Sequence, residues 1–314
     1  MHVCIVVPLF NEEESFPKLI QRLEGLQGNF PVDLRFVLVD DGSHDNTRKL
    51  ITQKALNHQN YIGVILSRNY GHQYAVTAGM NYCDGAVATM IIDGDLQDPP
   101  ELITGFYEKI QEGYDVVYAI RKNRKESFLK KLAYKEYYRL LKRVSVIDIP
   151  LDAGDFCMIS QRVVRHINSM PERSRYLRGM RAWVGYKQFG YEYNRDKRED
   201  GASKYSLKKL IQLAYSGLFN FSEFPIKFMS NIGMTSIVGA AIYIGYAIIK
   251  KFFYNDTPEG FVAIIFAISF FSGLILLSLS LLGEYIIRIF NDVRNRPLYI
   301  VDELIQNKKI KKIG

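Results

Sequence analysis

The chain of 314 residues has few cysteines and a single tryptophan. Its cysteines, Cys4, Cys83 and Cys157, are widely spaced and form no CxxC pair, which excludes a disulfide scaffold and a CxxC zinc site. The sequence also lacks the GxxxxGK(S/T) phosphate loop and the GxGxxG fingerprint after a first strand. These absences argue against a P-loop NTPase and against a dinucleotide-binding enzyme.

Charge is missing from two long stretches, residues 228–249 and 260–283. At about 1.5 Å per residue each helix would reach roughly 33 Å or more, enough to cross a hydrocarbon core of about 30 Å. We therefore predict transmembrane helices at 228–249 and 260–287, with a soluble helical hairpin as the alternative. Lys227 precedes the first stretch and Arg288 follows the second, and this placement of positive charge predicts that both termini are cytoplasmic.

Positive charge exceeds negative charge, with 41 Lys+Arg against 33 Asp+Glu and a net charge of +8. The excess follows the predicted membrane side and no nucleic-acid recognition motif is visible, so we do not expect nucleic acid as a partner. Residues 128–144 have the pattern of a basic amphipathic helix, and a second apolar stripe lies within 203–227. The lysine-rich end, 307–314, is expected to be a frayed tail near anionic lipid.

Residues 1–120 alternate short β-rich runs with helical patterns. The runs are 3–7, 34–39, 62–66, 87–92 and 115–119, and the helical patterns include 13–26 and 46–57. Apolar strands joined by helical crossovers predict an α/β fold with a mostly parallel sheet covered on both faces. Ligands of such sheets bind beyond the carboxyl ends of the strands, so the residues after each run are the candidates for a site.

Acidic or polar loops follow several of these runs, and the loop after the fourth carries Asp93, Gly94 and Asp95. Any one such loop can be a structural turn or helix cap. Two carboxylates separated by a glycine can also approach one divalent cation, and Gln97 adds a neutral oxygen. The histidines show no ligand spacing, although His72 could touch a substrate, and Trp183 is expected to pack.

Three segments resemble the GT-A inverting glycosyltransferases of family 2, namely residues 7–13, 39–43 and 93–100. The resemblance is closer to the polyprenyl-phosphate branch, which includes bactoprenol glucosyltransferases and dolichyl-phosphate mannose synthases. It continues through residues 154–156, 170–173, 182–185, 203–206, 282–286 and 296–299. The QxxRW motif of the processive polysaccharide synthases is absent from the sequence.

This resemblance implies a GT-A, Rossmann-like catalytic domain that moves a sugar from a nucleotide diphosphate to a lipid phosphate. It implies roles in nucleotide binding for Pro8, Phe10, Glu12, Asp41 and Asp93. Mg²⁺ or Mn²⁺ would be held by Asp95 and Gln97, with Asp93 near the ribose or the metal. Asp155 occupies the position of the family's proposed catalytic carboxylate, as a base or as a group that orients sugar and acceptor.

A lipid monophosphate acceptor affects the choice between these two roles of Asp155. With a second pKa near ~6, such a phosphate is mostly dianionic at neutral pH and is already a nucleophile. A strong general base is not required, which favours an orienting role for Asp155. A cationic pocket is required, and its candidate residues are Arg121, Arg198, Ser203 and Lys204.

The leading hypothesis is a metal-dependent enzyme at the cytoplasmic face of the cell inner membrane, with UDP-glucose as the expected donor and polyprenyl (undecaprenyl) phosphate as the acceptor. Other donors, namely GDP-mannose, UDP-N-acetylglucosamine or a modified UDP-pentose, are alternatives, as is a non-catalytic membrane anchor. Homo-oligomerisation stays open. The expected organisation is a catalytic domain at 1–202, an interfacial segment at 203–227, a transmembrane hairpin at 228–287 and a basic tail at 288–314.

Overall fold

A computed structural model describes residues 1–28, 30–121, 153–193, 224–254 and 260–313. Its described strands form one mixed sheet in the order β7-β5-β6-β4-β1-β2-β3-β8-β9. Their bounds are β1 His2–Leu9, β2 Asp33–Asp40, β3 Tyr61–Leu66, β4 Ala88–Ile91, β5 Val116–Arg121, β6 Ala153–Ser160, β7 Gln188–Tyr193, β8 Val301–Gln306 and β9 Lys309–Lys312. The five strands predicted in residues 1–120 are confirmed, each within two residues of its expected ends.

Helices that alternate with these strands along the chain cover the sheet. They are α1 Phe16–Gln27, α2 Thr47–Asn57, α3 His72–Met80, α4 Ile103–Gln111, α5 Gln161–Ser169 and α6 Leu177–Trp183, with a 3₁₀ turn at Pro100–Leu102. In α1 the buried residues are Phe16, Leu19, Ile20, Leu23 and Leu26, the spacing of one helix face. The predicted helices at 13–26 and 46–57 are therefore present, and both begin slightly later than expected.

Both faces of the central sheet are buried. This burial explains why the sequence of β1 is apolar throughout. Val3, Ile5 and Val7 belong to one core cluster, while Cys4 and Val6 belong to another. Since successive side chains of a strand point to opposite faces, a strand covered on both sides needs apolar residues at every position. The three cysteines are free and buried, in keeping with small apolar packing roles.

Strand direction defines the edge at which a site can form. The neighbours β3, β2, β1 and β4 run parallel, which confirms the predicted parallel sheet at its centre. β6 runs antiparallel to β4, with Ile91 opposite Cys157. The start of β6 therefore lies at the same edge as the end of β4, and this edge also receives the end of β5, where Ile120 faces Ala153.

The C-terminal residues join the sheet, so the predicted frayed tail at 307–314 is wrong. β8 pairs antiparallel with β3, with Ile305 opposite Gly63, and β9 pairs with β8. Ile305 is fully buried, and Arg48 of α2 forms an ion pair with Asp302 at 2.7 Å. The buried Ile305 and the ion pair of Asp302 hold β8 on the sheet, and the lysine-rich β9 is held by its pairing with β8.

A second compact unit contains the remaining described helices, α7 (Phe224–Tyr254) and α8 (Phe261–Val293). Both are long and apolar enough to cross a membrane, within Phe228–Tyr246 and Phe270–Val293. Large apolar side chains on them are exposed, for example Ile242 and Leu276. α8 continues to Val293, beyond the expected end of the second span at 287. The amphipathic pattern at 128–144 and most of the 203–227 segment lie outside the described residues.

Candidate active site

Asp93 follows β4 at the edge where the parallel strands end. Its side chain is half-buried, and its Oδ1 atom accepts no hydrogen bond from the described residues. Burial raises the pKa of Asp93 to about 6; His72 opposes this rise, while the nearby carboxylates of Asp155, Asp98 and Asp95 add to it. The Asp93 carboxylate therefore lies at the expected strand end, with other carboxylates close to it.

Asp155 lies close to Asp93 because β6 runs antiparallel to β4. Its carboxylate accepts two hydrogen bonds from Arg178 of α6, from Nε to Oδ1 at 2.8 Å and from Nη2 to Oδ2 at 3.1 Å. Gln73 of α3 donates a third, to Oδ2 at 3.3 Å. Burial alone would raise the pKa of Asp155, but the Arg178 guanidinium more than offsets it, and His72 and Arg181 add to the effect, so that the pKa lies well below its usual range.

His72 stands between these two carboxylates. Its Nε2 atom lies 3.5 Å from Asp93 Oδ1 and 3.7 Å from Asp155 Oδ2. The residue is the first of α3, which packs against β1 and β2 and so points its N-terminus at the ligand edge. The sequence offered one signal for it, its position just after the third strand. Nothing local marked Gln73 or Arg178, since their contacts with Asp155 come from other parts of the chain.

Asp41 shapes the neighbouring loop from a buried position. Its Oδ1 accepts a hydrogen bond from the Tyr70 N–H at 2.8 Å, and its Oδ2 accepts one from the Gly71 N–H at 2.9 Å. Burial raises the pKa of Asp41, and these two backbone hydrogen bonds partly oppose the rise. Asp41 therefore fixes the segment that leads directly into His72 and Gln73.

The end of β1 is tied to the loop that follows β2. Asn11 N–H donates to Ser43 Oγ at 3.0 Å, and Glu12 N–H donates to Thr47 Oγ1 at 2.9 Å. Phe10 is 39% exposed, and its ring meets His44 edge to face at 6.2 Å between centroids. Pro8 is buried within β1, opposite Val39. Of the predicted nucleotide-binding residues, Phe10 thus presents an accessible aromatic surface, while Pro8 and Asp41 are enclosed.

The predicted metal ligands follow Asp93 directly. Asp95 and Gln97 form a tight turn in which Gln97 N–H donates to Asp95 Oδ1 at 3.2 Å. In the part of the chain that the structure describes, no three His, Cys, Asp or Glu side chains form a metal-binding group. Two carboxylates and an amide oxygen nevertheless suit Mg²⁺ or Mn²⁺, and the Oδ1 of Asp93, which accepts no hydrogen bond from the described residues, offers an oxygen ligand. The donor set fits a cation whose other ligands come from a bound phosphate.

The predicted acceptor residues are described only in part. The backbone of Arg121 ends β5 at the ligand edge, and its side chain lies outside the described residues. Arg198, Ser203 and Lys204 lie outside them entirely. The expectation that Trp183 packs is wrong. Trp183 is the last residue of α6, and 61% of its surface is exposed.

The parallel centre of the sheet, its acidic carboxyl edge and the antiparallel β6 are features of the GT-A fold. Residues 4–167 match the model of glycosyl transferase family 2, and the chain belongs to this family. It is 40% identical to an uncharacterised glycosyltransferase of Bacillus subtilis over 98% of this chain and 95% of that protein.

Other relatives have more specific names. A bactoprenol glucosyl transferase of Shigella phage SfII is 35% identical over 96% of this chain and 97% of its own length. A prophage bactoprenol glucosyl transferase homolog of Escherichia coli is 34% identical over 99% of this chain and 100% of its own. Among solved structures, mannosyl-3-phosphoglycerate synthase of Rubrobacter xylanophilus aligns with a TM-score of 0.48 at 16% identity, over 69% of this chain and 71% of that one.

Proposed function

We propose that the protein is a membrane-bound inverting glycosyltransferase that moves glucose from UDP-glucose to a polyprenyl phosphate at the cytoplasmic face of the cell inner membrane. The observation that carries the proposal is the gathering of Asp93, His72 and Asp155 at the carboxyl edge of the sheet. The names of the relatives support a bactoprenol-type lipid acceptor, since they match this chain over nearly its full length. The two long apolar helices support a reaction at the membrane.

The nucleoside would lie against the loops after β1 and β2. Phe10 offers an accessible aromatic face on which a base can stack. The carboxylate of Glu12, two residues further along the chain, accepts a hydrogen bond from the Ser15 hydroxyl at 2.7 Å, which fixes its direction. In this proposal Asp41 and Pro8 act by shaping the wall of the nucleotide site, because both are buried.

The acceptor phosphate would attack C1 of the sugar. An oxygen of the lipid phosphate forms the new bond to C1 as the bond from C1 to the diphosphate breaks, with inversion at that carbon. The phosphate already carries the needed charge, so Asp155 has no proton to take. Its carboxylate is held on both oxygens, which suits a group that orients sugar and acceptor. Arg121, Arg198, Ser203 and Lys204 stay the predicted cationic pocket for the acceptor.

A divalent cation completes the proposed site. Asp93, Asp95 and Gln97 are the residues that would hold Mg²⁺ or Mn²⁺, and the bound ion would act as a Lewis acid that stabilises charge on the departing diphosphate. The chain's own part is to keep these oxygens at the strand end. The tight turn at Gln97 and the partial burial of Asp93 serve that purpose.

Sheet connectivity supports the proposed topology. Strands β1 to β7 precede α7 and α8 in the chain, and β8 and β9 follow them, yet all belong to one sheet. If the two helices cross the bilayer, the chain must return to the side on which it started. Two crossings with both ends on one face meet this condition, and the basic residues outside the spans favour the cytoplasmic side for that face.

Label transfer to lipid tests the proposal. Detergent-solubilised full-length protein is incubated with radiolabelled UDP-glucose, undecaprenyl phosphate and Mg²⁺, and label in the organic phase is counted. We expect transfer that is abolished by EDTA and lowered at least ~100-fold by Asp95→Asn. Asp33→Asn, at the exposed start of β2, is the matched control and should transfer at the wild-type rate.

The donor panel decides between the alternatives. GDP-mannose, UDP-N-acetylglucosamine and a UDP-pentose are tested in the same assay, and transfer from one of these but not from UDP-glucose would correct the donor alone. An absence of transfer from every donor, by protein that remains folded, would overturn the enzymatic proposal and favour a non-catalytic membrane anchor.

A further inference from the structure

The Asp155 carboxylate is held by side chains from two separate helices. Arg178 of α6 grips both oxygens side-on through Nε and Nη2. Gln73 of α3 donates to Oδ2 and, through its own Oε1, accepts a hydrogen bond from the Leu177 N–H at 3.0 Å. Gln73 thus links the start of α3, the start of α6 and the carboxylate in one network.

The backbone beside Asp155 is anchored as well. Arg181, one turn after Arg178, donates from Nη2 to the carbonyl oxygen of Gly154 at 3.0 Å. Two arginines of α6 therefore hold two successive residues of β6. Arg178 binds the side chain of Asp155, and Arg181 binds the main chain of Gly154. A carboxylate with one hydrogen bond could still rotate about χ2, but bonds to both oxygens from a planar fork define one orientation.

A second arginine fork in the same protein provides a comparison. Arg162 donates through Nε and Nη2 to the two oxygens of Asp115, the same side-on arrangement. This pair lies beside Ser160, at the other end of β6, about 16 Å from Asp155 along a strand that rises roughly 3.3 Å per residue. The two forks share their chemistry and differ in that only the Asp155 pair faces His72 and the ligand edge.

We propose that Arg178 is a positioning residue for sugar transfer, which together with Gln73 fixes the Asp155 carboxylate in one orientation beside His72. This inference rests on the proposed function, because Asp155 is taken as the group that orients sugar and acceptor. Arg178 acts through Asp155. Lysine cannot reproduce the fork, since its ammonium is a single point charge on a flexible stem.

Steady-state kinetics of Arg178→Lys in the lipid-transfer assay test the inference. We expect kcat to fall about 10- to 100-fold, the loss that a displacement of about 1 Å can cause. KM for the nucleotide sugar should stay within about threefold of wild type. Arg162→Lys is the matched control: it changes the same kind of fork and should lower thermal stability while leaving kcat unchanged.

A double-mutant cycle separates positioning from an independent role. If Arg178 acts through Asp155, adding Arg178→Lys to Asp155→Asn should lower kcat by less than about twofold beyond the single Asp155→Asn variant. Multiplying effects would overturn the inference, as would wild-type kcat in Arg178→Lys or an equal loss of kcat in Arg162→Lys. No transfer by the wild-type protein from any donor would overturn the proposed function itself, and the inference with it.

Discussion

The Cα of Gly42 faces the main chain of Arg68 at very short range. A Cβ at position 42 would stand 2.4 Å from the carbonyl carbon of Arg68 and 2.4 Å from the nitrogen of Asn69. Gly42 also has a φ of +71°, in the left-handed region that favours glycine. The loop after β2 can therefore lie against the loop after β3 only because residue 42 has no side chain.

This contact predicts a strong effect of Gly42→Ala. The backbone of residues 68 and 69 must move, and the loop that leads to His72 moves with it. We expect a loss of about 1–3 kcal/mol or more in the free energy of unfolding, together with reduced transfer. Denaturant unfolding, monitored by circular dichroism, measures the free energy of unfolding, and the lipid-transfer assay measures the activity.

Gly25→Ala is the matched control for this change. Gly25 lies inside α1, where a Cβ would meet nothing within 4 Å. Alanine is the better helix former there, so Gly25→Ala should raise the free energy of unfolding by about 0.5–1 kcal/mol. Equal behaviour of the two variants would contradict the role given to the close approach of Gly42 and Arg68.

His72→Gln tests the group between the two carboxylates. The imidazole nitrogen lies within 4 Å of both Asp93 and Asp155, and glutamine removes the ring while keeping a polar side chain. We expect kcat for transfer to fall at least about tenfold, since a positioned acid or base typically contributes about 100-fold or more. The melting temperature should change little, because the His72 side chain is 39% exposed.

His58→Gln serves as the control for that experiment. His58 follows α2, where its ring contacts Tyr61, and it has no contact with the acidic edge among the described residues. Its replacement should leave kcat unchanged. A wild-type kcat in His72→Gln would mean that the histidine is only a bystander at the site.

Ile305→Ala tests whether the C-terminal strands belong to the folded core. The side chain is fully buried in the main apolar cluster, and removal of a buried isoleucine typically costs about 2–5 kcal/mol. Ile310→Ala, in the exposed strand β9, should change stability by less than about 0.5 kcal/mol. Two small and equal effects would mean that β8 is not part of the folded core.

The loss of folding stability at acidic pH should depend in part on the Asp115 carboxylate. Burial of Asp115 tends to raise its pKa, but the Arg162 guanidinium and the Ser160 hydroxyl more than offset this, and the pKa is lowered. A carboxyl whose pKa is lower in the folded state stabilises the fold above its unfolded pKa, about 3.9, and this stability is lost as the pH falls toward the folded pKa.

Thermal melts of the wild type and of Asp115→Asn at pH 7 and at pH 3 measure this contribution. The variant should melt lower at pH 7, by ~2–4 °C, and the difference should shrink at pH 3. A difference that is the same at both pH values would show that the charge of Asp115 is not what stabilises the fold.

Local patterns in the sequence were sufficient for much of the sheet. The strand runs, the helix face of α1 and the Asp93 loop are set by nearest neighbours, because strand and helix periodicities and turn residues act over a few positions. Motifs at strand ends likewise indicated which loops carry Asp41 and Asp93. Trp183 and the lysine-rich end were misjudged, since local composition does not show which side chains find a partner.

By itself the sequence determined a parallel α/β core with an acidic carboxyl edge, two apolar helices and membership of a family. Only the tertiary structure decided that β6 runs antiparallel beside β4, which brings Asp155 to Asp93, and that α3 and α6 supply His72, Gln73 and Arg178 around it. It also decided that β8 joins β3. Strand order and direction depend on pairings between residues far apart in the chain, and no local pattern encodes them.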